Sequence, residues 1–115
     1  MPRDENFRPM IFICSPFAGD EAENIINAQK YSRYAFDLGY LPITPHLLFP
    51  QYLNERTKRR ESIHMGIVLM GKCEEVWVFG NQMTSGMVRE LEKAKLWRKL
   101  IRFFNKDCRE VNINA

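Results

Sequence analysis

Three short apolar runs constrain this chain more than any other feature: Met10-Ile11-Phe12-Ile13-Cys14, Glu75-Val76-Trp77-Val78-Phe79 and Leu100-Ile101-Arg102-Phe103-Phe104. Each has the length of a strand, and the first lacks the alternation of a sheet with one wet face. Strands that are apolar on both faces belong in a parallel sheet covered by helices. Helical periodicity fills the gaps between them. Ile25, Ala28, Tyr31, Ala35 and Leu38 recur at spacings of three and four, and Gly39 supplies a stop. Leu41-Pro42-Ile43-Thr44 predicts another strand, near an edge where Pro42 is tolerated. Residues 45–52 read as irregular and aromatic-rich. A helix is predicted over 55–72, with Ile63, Ile67 and Met70 inward, and another over 87–98. From Asn105 onward no periodicity predicts an element. Strands alternating with helices give an α/β domain with about four parallel strands and right-handed crossovers.

With 115 residues the chain has room for one domain, placed at 10–115. Residues 1–9 are polar and charged, which predicts a flexible lead rather than a secretory signal. No apolar run approaches the roughly 20 residues that span a bilayer. Cys14, Cys73 and Cys108 have neither metal-type nor redox-type spacing, which points to reduced thiols in a cytoplasm. His46 and His64 have no second ligand at metal spacing, so no metal site is expected. A net charge of +3 permits an anionic ligand but is too small to argue for a nucleic-acid polymer.

In open parallel sheets, ligands bind beyond the carboxyl ends of the strands. Here those ends are 15–19, Pro45-His46, 80–86 and Asn105. On the last long helix, Met87, Glu90, Ala94 and Trp97 are spaced three, four and three apart. They form one stripe facing the sheet, and Glu90 puts a carboxylate on it about one turn into the helix. Asn24 opens the corresponding stripe of the first helix. The helix dipole favours the charged form of such a carboxylate by up to about 1 kcal/mol, and burial opposes it. Glu90 either acts on a ligand as nucleophile or base, or pairs with a nearby cation or caps its own helix. His46 either meets a ligand or is a loop histidine held by backbone. Arg56, Lys58, Arg59 and Arg60 form either a phosphate contact or a solvated face. Phe17, Phe49 and Tyr52 lie in loops, free to stack on a base. Cys14 reads as a buried strand thiol.

These residues carry a resemblance. Ile11-Phe12-Ile13-Cys14-Ser15-Pro16-Phe17 resembles the opening strand and Pro-containing loop of the nucleoside 2-deoxyribosyltransferase superfamily. Residues 85–94 resemble its later motif, in which Gly86 is followed four residues on by Glu90 and then by the small Ala94. Residues 73–80 resemble its acid-then-strand segment, and Pro45-His46-Leu47 is similar to a segment of short bacterial and phage members. The likeness spans residues 10–104.

It implies a flavodoxin-like, three-layer fold. The implied activity cleaves the N-glycosidic bond of nucleosides or nucleotides through a covalent sugar–glutamate intermediate, ending in hydrolysis or transfer. Glu90 would be the nucleophile, with Glu74 or Glu75 and Asn24 orienting the sugar hydroxyls. Ser15, Pro16, Phe17, Gly19 and His46 would line the pocket from one side. Gly80, Thr84, Ser85 and Met87 would do so from the other, and Gly86 would allow close approach of the sugar or its phosphate. The implied chemistry needs no metal or organic cofactor, and the resemblance further implies a homo-oligomer in which a neighbouring subunit is available to complete the pocket. Charge and the lack of a long apolar run predict no nucleic-acid or membrane partner. Thr84 stands six residues before Glu90, where these enzymes often carry Asp; Asp20 and His46 are the candidate replacements as proton donor. That departure keeps open an alternative, a non-catalytic nucleotide-binding module on the same fold.

Overall fold

The computed structural model describes residues 6–111. The elements run β1 (Met10–Cys14), α1 (Glu21–Asp37), β2 (Leu41–Ile43), α2 (Pro45–Leu48), a 3-10 turn (Phe49–Gln51), α3 (Arg59–Gly71), β3 (Glu75–Phe79), α4 (Ser85–Leu96), β4 (Leu100–Phe104) and β5 (Glu110–Val111). They form one sheet in the order β2-β1-β3-β4-β5. The first four pair in parallel and β5 lies antiparallel to β4. This is the flavodoxin-like α/β order, with one strand more than the four expected. Two residues leave no periodicity to read, and β5 is anchored instead by Arg102, whose Nε and Nη2 donate to Glu110 at 2.9 and 2.8 Å.

The two-residue period of the strands divides the core into two layers. Phe12, Cys14, Val76 and Val78 face Met70 of α3 and Met87 and Ala94 of α4. Ile11, Ile13, Trp77, Phe79 and Phe104 face Tyr31 and Ala35 of α1. Burying each of the larger side chains contributes about 1.5–3 kcal/mol.

Helix boundaries follow the caps. Asp20 Oδ1 accepts from the Glu23 amide at 3.2 Å and starts α1, helped by two acids in its first turn. Leu38 leaves the inner stripe and is exposed, because α1 ends at Asp37 and Gly39 turns the chain at φ +97. Segment 45–52 holds α2 and the 3-10 turn where irregular chain was expected, and α3 begins at Arg59 rather than at 55. Thr84 Oγ1 accepts from the Met87 amide at 3.2 Å, so α4 begins at Ser85, ahead of the expected 87. Trp97 falls at that helix's C-cap, 41% exposed, with its ring beside Gly71.

Arg8 donates to the carbonyls of Phe36 and Tyr40, both at 3.0 Å, and Pro9 O accepts from the Leu41 amide. Residues 1–5 of the expected lead lie outside the described residues. Among the described residues no helix is long and apolar enough to cross a membrane.

Candidate active site

Chain direction sets where a site can form. The connection leaving β1 goes to β2 on one side, and that leaving β3 goes to β4 on the other, so the loops after β1 and β3 part at the rim. Two hollows open there, one on each face of the sheet. The larger, about 370 Å³, lies on the α1 side and takes in Pro16, Gly19, Asn24 and Gly80. The smaller, about 20 Å³, lies on the α3–α4 side and takes in Phe17, His46, Thr84, Gly86, Met87 and Glu90. The residues expected around one pocket are thus divided between two. The β1 loop is the divider, with Pro16 facing one hollow and Phe17 the other. Asn24 fixes this loop by donating to the carbonyls of Phe17 at 3.0 Å and Ala18 at 3.1 Å.

Glu90 is 5% exposed. Its Oε1 accepts from the thiol of Cys14 at 3.3 Å, and among the described residues it forms no ion pair. Its Oε2 lies against α3 where Gly66 has no side chain; a Cβ there would stand 3.5 Å away. Burial pushes the carboxyl up to about 7, partly offset by the Cys14 hydrogen bond and the charge of Arg59. The Cys14 thiol is itself held well above its ordinary range, first by burial and then by Glu90, so it stays protonated and donates.

His46 Nε2 lies 2.8 Å from Ser15 O. A carbonyl only accepts, so Nε2 carries the proton. Burial pushes the imidazole down to about 4, which leaves it neutral at pH 7 with Nδ1 as an acceptor. The ring packs on Phe17 at 5.0 Å between centroids.

Arg59, the first residue of α3, extends its guanidinium over the start of α4. A Cβ on Gly86 would come within 3.2 Å of Nη2. Ser62 on the hollow's wall and Ser15, which follows β1 and lines neither hollow, carry buried hydroxyls with no hydrogen-bond partner among the described residues. Glu55 supplies the hollow's other carboxyl. Sequence reasoning overlooked Ser62 and Glu55 as site residues; Cys14 is the buried strand thiol expected, and only its hydrogen bond to Glu90 was not foreseen. A signal existed for Ser62, which shares an i, i+4, i+8 stripe with Gly66 and Met70, all buried.

Other expected residues stand elsewhere. Ser85 is exposed at the start of α4 and lines neither hollow. Glu74 and Glu75 lie at the amino end of β3, a strand length of roughly 15 Å from its ligand-facing end. Glu74 is exposed; Glu75 accepts from Trp77 Nε1 at 2.9 Å and faces Arg102 at 3.7 Å. A residue preceding a parallel strand emerges at the opposite rim, so neither acid can act beside Glu90. Among the described residues no three His, Cys, Asp or Glu side chains group to hold a metal.

The fold is similar to a solved structure described as a 2-deoxyribosyltransferase from Bacillus psychrosaccharolyticus. The TM-score is 0.67 at 17% identity, covering 91% of this chain and 78% of that one. At that identity the likeness establishes the fold alone. No curated protein matches the chain. A family model described as a domain of unknown function, DUF7768, matches residues 9–104, from the lead into β1 through the end of β4 with both hollows' loops included. The chain belongs to that family.

Proposed function

We propose that this protein cleaves the N-glycosidic bond of a nucleoside or nucleotide, with Glu90 as the nucleophile. One observation carries the reading: a buried carboxyl that forms no ion pair among the described residues lines a hollow at the rim of the sheet. The similar fold of a 2-deoxyribosyltransferase supports it. Ionised Glu90 attacks the anomeric carbon, and the C–N bond breaks with its electron pair leaving on the base. The sugar remains as an ester on Glu90 until water or a second base displaces it. With its carboxyl at about 7, Glu90 is roughly half ionised at neutral pH and more basic than an exposed glutamate. Glu55, in its protonated form, donates to the departing base, the role left open for Asp20 or His46: Asp20 lines the other hollow and the His46 Nε2 proton is held by Ser15 O. His46 accepts a sugar hydroxyl through Nδ1.

A hollow of about 20 Å³ holds one water and no sugar. Substrate therefore enters by displacing the long side chains at its mouth, Arg59 and Glu55. A second reading, a binding module without turnover, is favoured by Thr84, whose hydroxyl is spent on capping α4. Incubation with nucleosides and deoxynucleotides, followed by chromatography of free base, tests the proposal. Base release that falls by about 10³-fold or more in Glu90→Ala is the expected result. Thermal stabilisation by these ligands without base release identifies the module instead.

A further inference from the structure

We propose that the larger hollow, on the α1 side of the sheet, is a second ligand site, and that it takes a neutral, hydroxyl-rich molecule of the size of a pentose or hexose. The inference does not depend on what Glu90 does, because Glu90 lines only the other hollow. At about 370 Å³ the space is within the range of small-molecule sites. It opens at the β1/β3 switch point, where sheets of this strand order hold ligands.

Its walls carry polar groups that the fold leaves unused. Among the described residues the carboxamides of Asn27, Asn81 and Gln82 have no hydrogen-bond partner. Tyr31 is the more telling case. It is 1% exposed, yet its hydroxyl bonds to nothing among the described residues. That hydroxyl reaches the floor of the hollow, where a Cβ on Gly80 would stand 3.9 Å from it. The ring is buried while the hydroxyl keeps its access to solvent through the hollow, where a ligand can reach it.

The same walls select among ligand classes. Asp20 and Glu23 stand against the single cation Lys106, so a phosphate would meet more negative than positive charge. A nucleobase needs an aromatic platform, and the one ring in the lining is already engaged. Tyr31 stacks on Phe79 at 4.3 Å, and Lys30 Nζ lies 5.5 Å from its centroid. Carboxamides and a phenol that both donate and accept match hydroxyl groups, which do the same.

Calorimetric titration of the full chain with D-ribose, D-glucose and D-galactose, and separately with inorganic phosphate and adenine, tests the site. At least one sugar is expected to bind. Tyr31→Phe, which keeps the ring, and Asn27→Ala should each weaken that sugar by about tenfold. Glu90→Ala should leave its affinity within about twofold. Circular dichroism establishes that each variant is folded. The proposal is overturned if no sugar binds, if phosphate or adenine binds in their place, or if affinity is lost in Glu90→Ala and kept in Tyr31→Phe. Base release in the preceding experiment is a separate readout, so either proposal can fail alone.

Discussion

Glu90 and His46 carry opposite proton linkages within one hollow. The folded protein holds Glu90 at about 7, above an ordinary carboxyl, so between roughly pH 4.5 and 7 the native state binds the extra proton. Stability from this group is greatest at low pH and is lost as pH rises, by up to ~3 kcal/mol above pH 7. His46, held at about 4, acts the other way: the unfolded chain binds the proton, and stability is lost as pH falls from about 6.5 through 4. The two slopes largely offset in the native protein. Glu90→Gln should expose the histidine slope, giving urea midpoints that climb from pH 4 to 6.5 and then stay flat. It should also be more stable than the native protein at pH 8. The Cys14 hydrogen bond lowers the carboxyl, so Cys14→Ala should move the rising limb of the pH–rate profile upward, and Cys14→Ser should restore it. The inward position of Glu90 was legible from its helical spacing. Its thiol partner was not, because Cys14 lies 76 residues away and meets it only once β1 and α4 have packed.

At the scale of elements, α4 depends on its first turn. Thr84→Ala removes the cap from the Met87 amide and should cost about 1 kcal/mol in denaturant unfolding, whereas Thr84→Asp should retain most of it. A new acid there would also stand at the hollow's edge, making Thr84→Asp a direct test of whether the missing carboxylate limits turnover. Helices α1 and α4 were readable because their stripes are regular and their caps polar. The start of α3 was not, since Lys58 makes no side-chain cap and residues 55–58 carry no apolar period. The Glu74 and Glu75 assignment failed for a directional reason: the acid-then-strand likeness fixed their order along the chain, and strand polarity carried them to the far rim.

Across the whole molecule, α3 and α4 cover one face of the sheet while α1 alone covers the other. Beyond α1, Arg102 does part of a helix's work. Its guanidinium lies 4.7 Å from the Trp77 ring and pairs with Glu75 and Glu110. Arg102→Ala should lower stability by about 1–2 kcal/mol and speed amide exchange at Val111, because β5 loses its anchor. The parallel sheet and its strand ends were legible from three apolar runs; the division of the rim into two hollows was not, because it arises from which way Pro16 and Phe17 turn in one loop. The central claim is covalent chemistry at Glu90, and trapping tests it most directly. Exposure to a 2-fluoro-2-deoxynucleoside, intact-mass measurement and peptide mapping should place one fluorosugar on Glu90. An adduct on another residue, or base release undiminished in Glu90→Ala, would contradict the account.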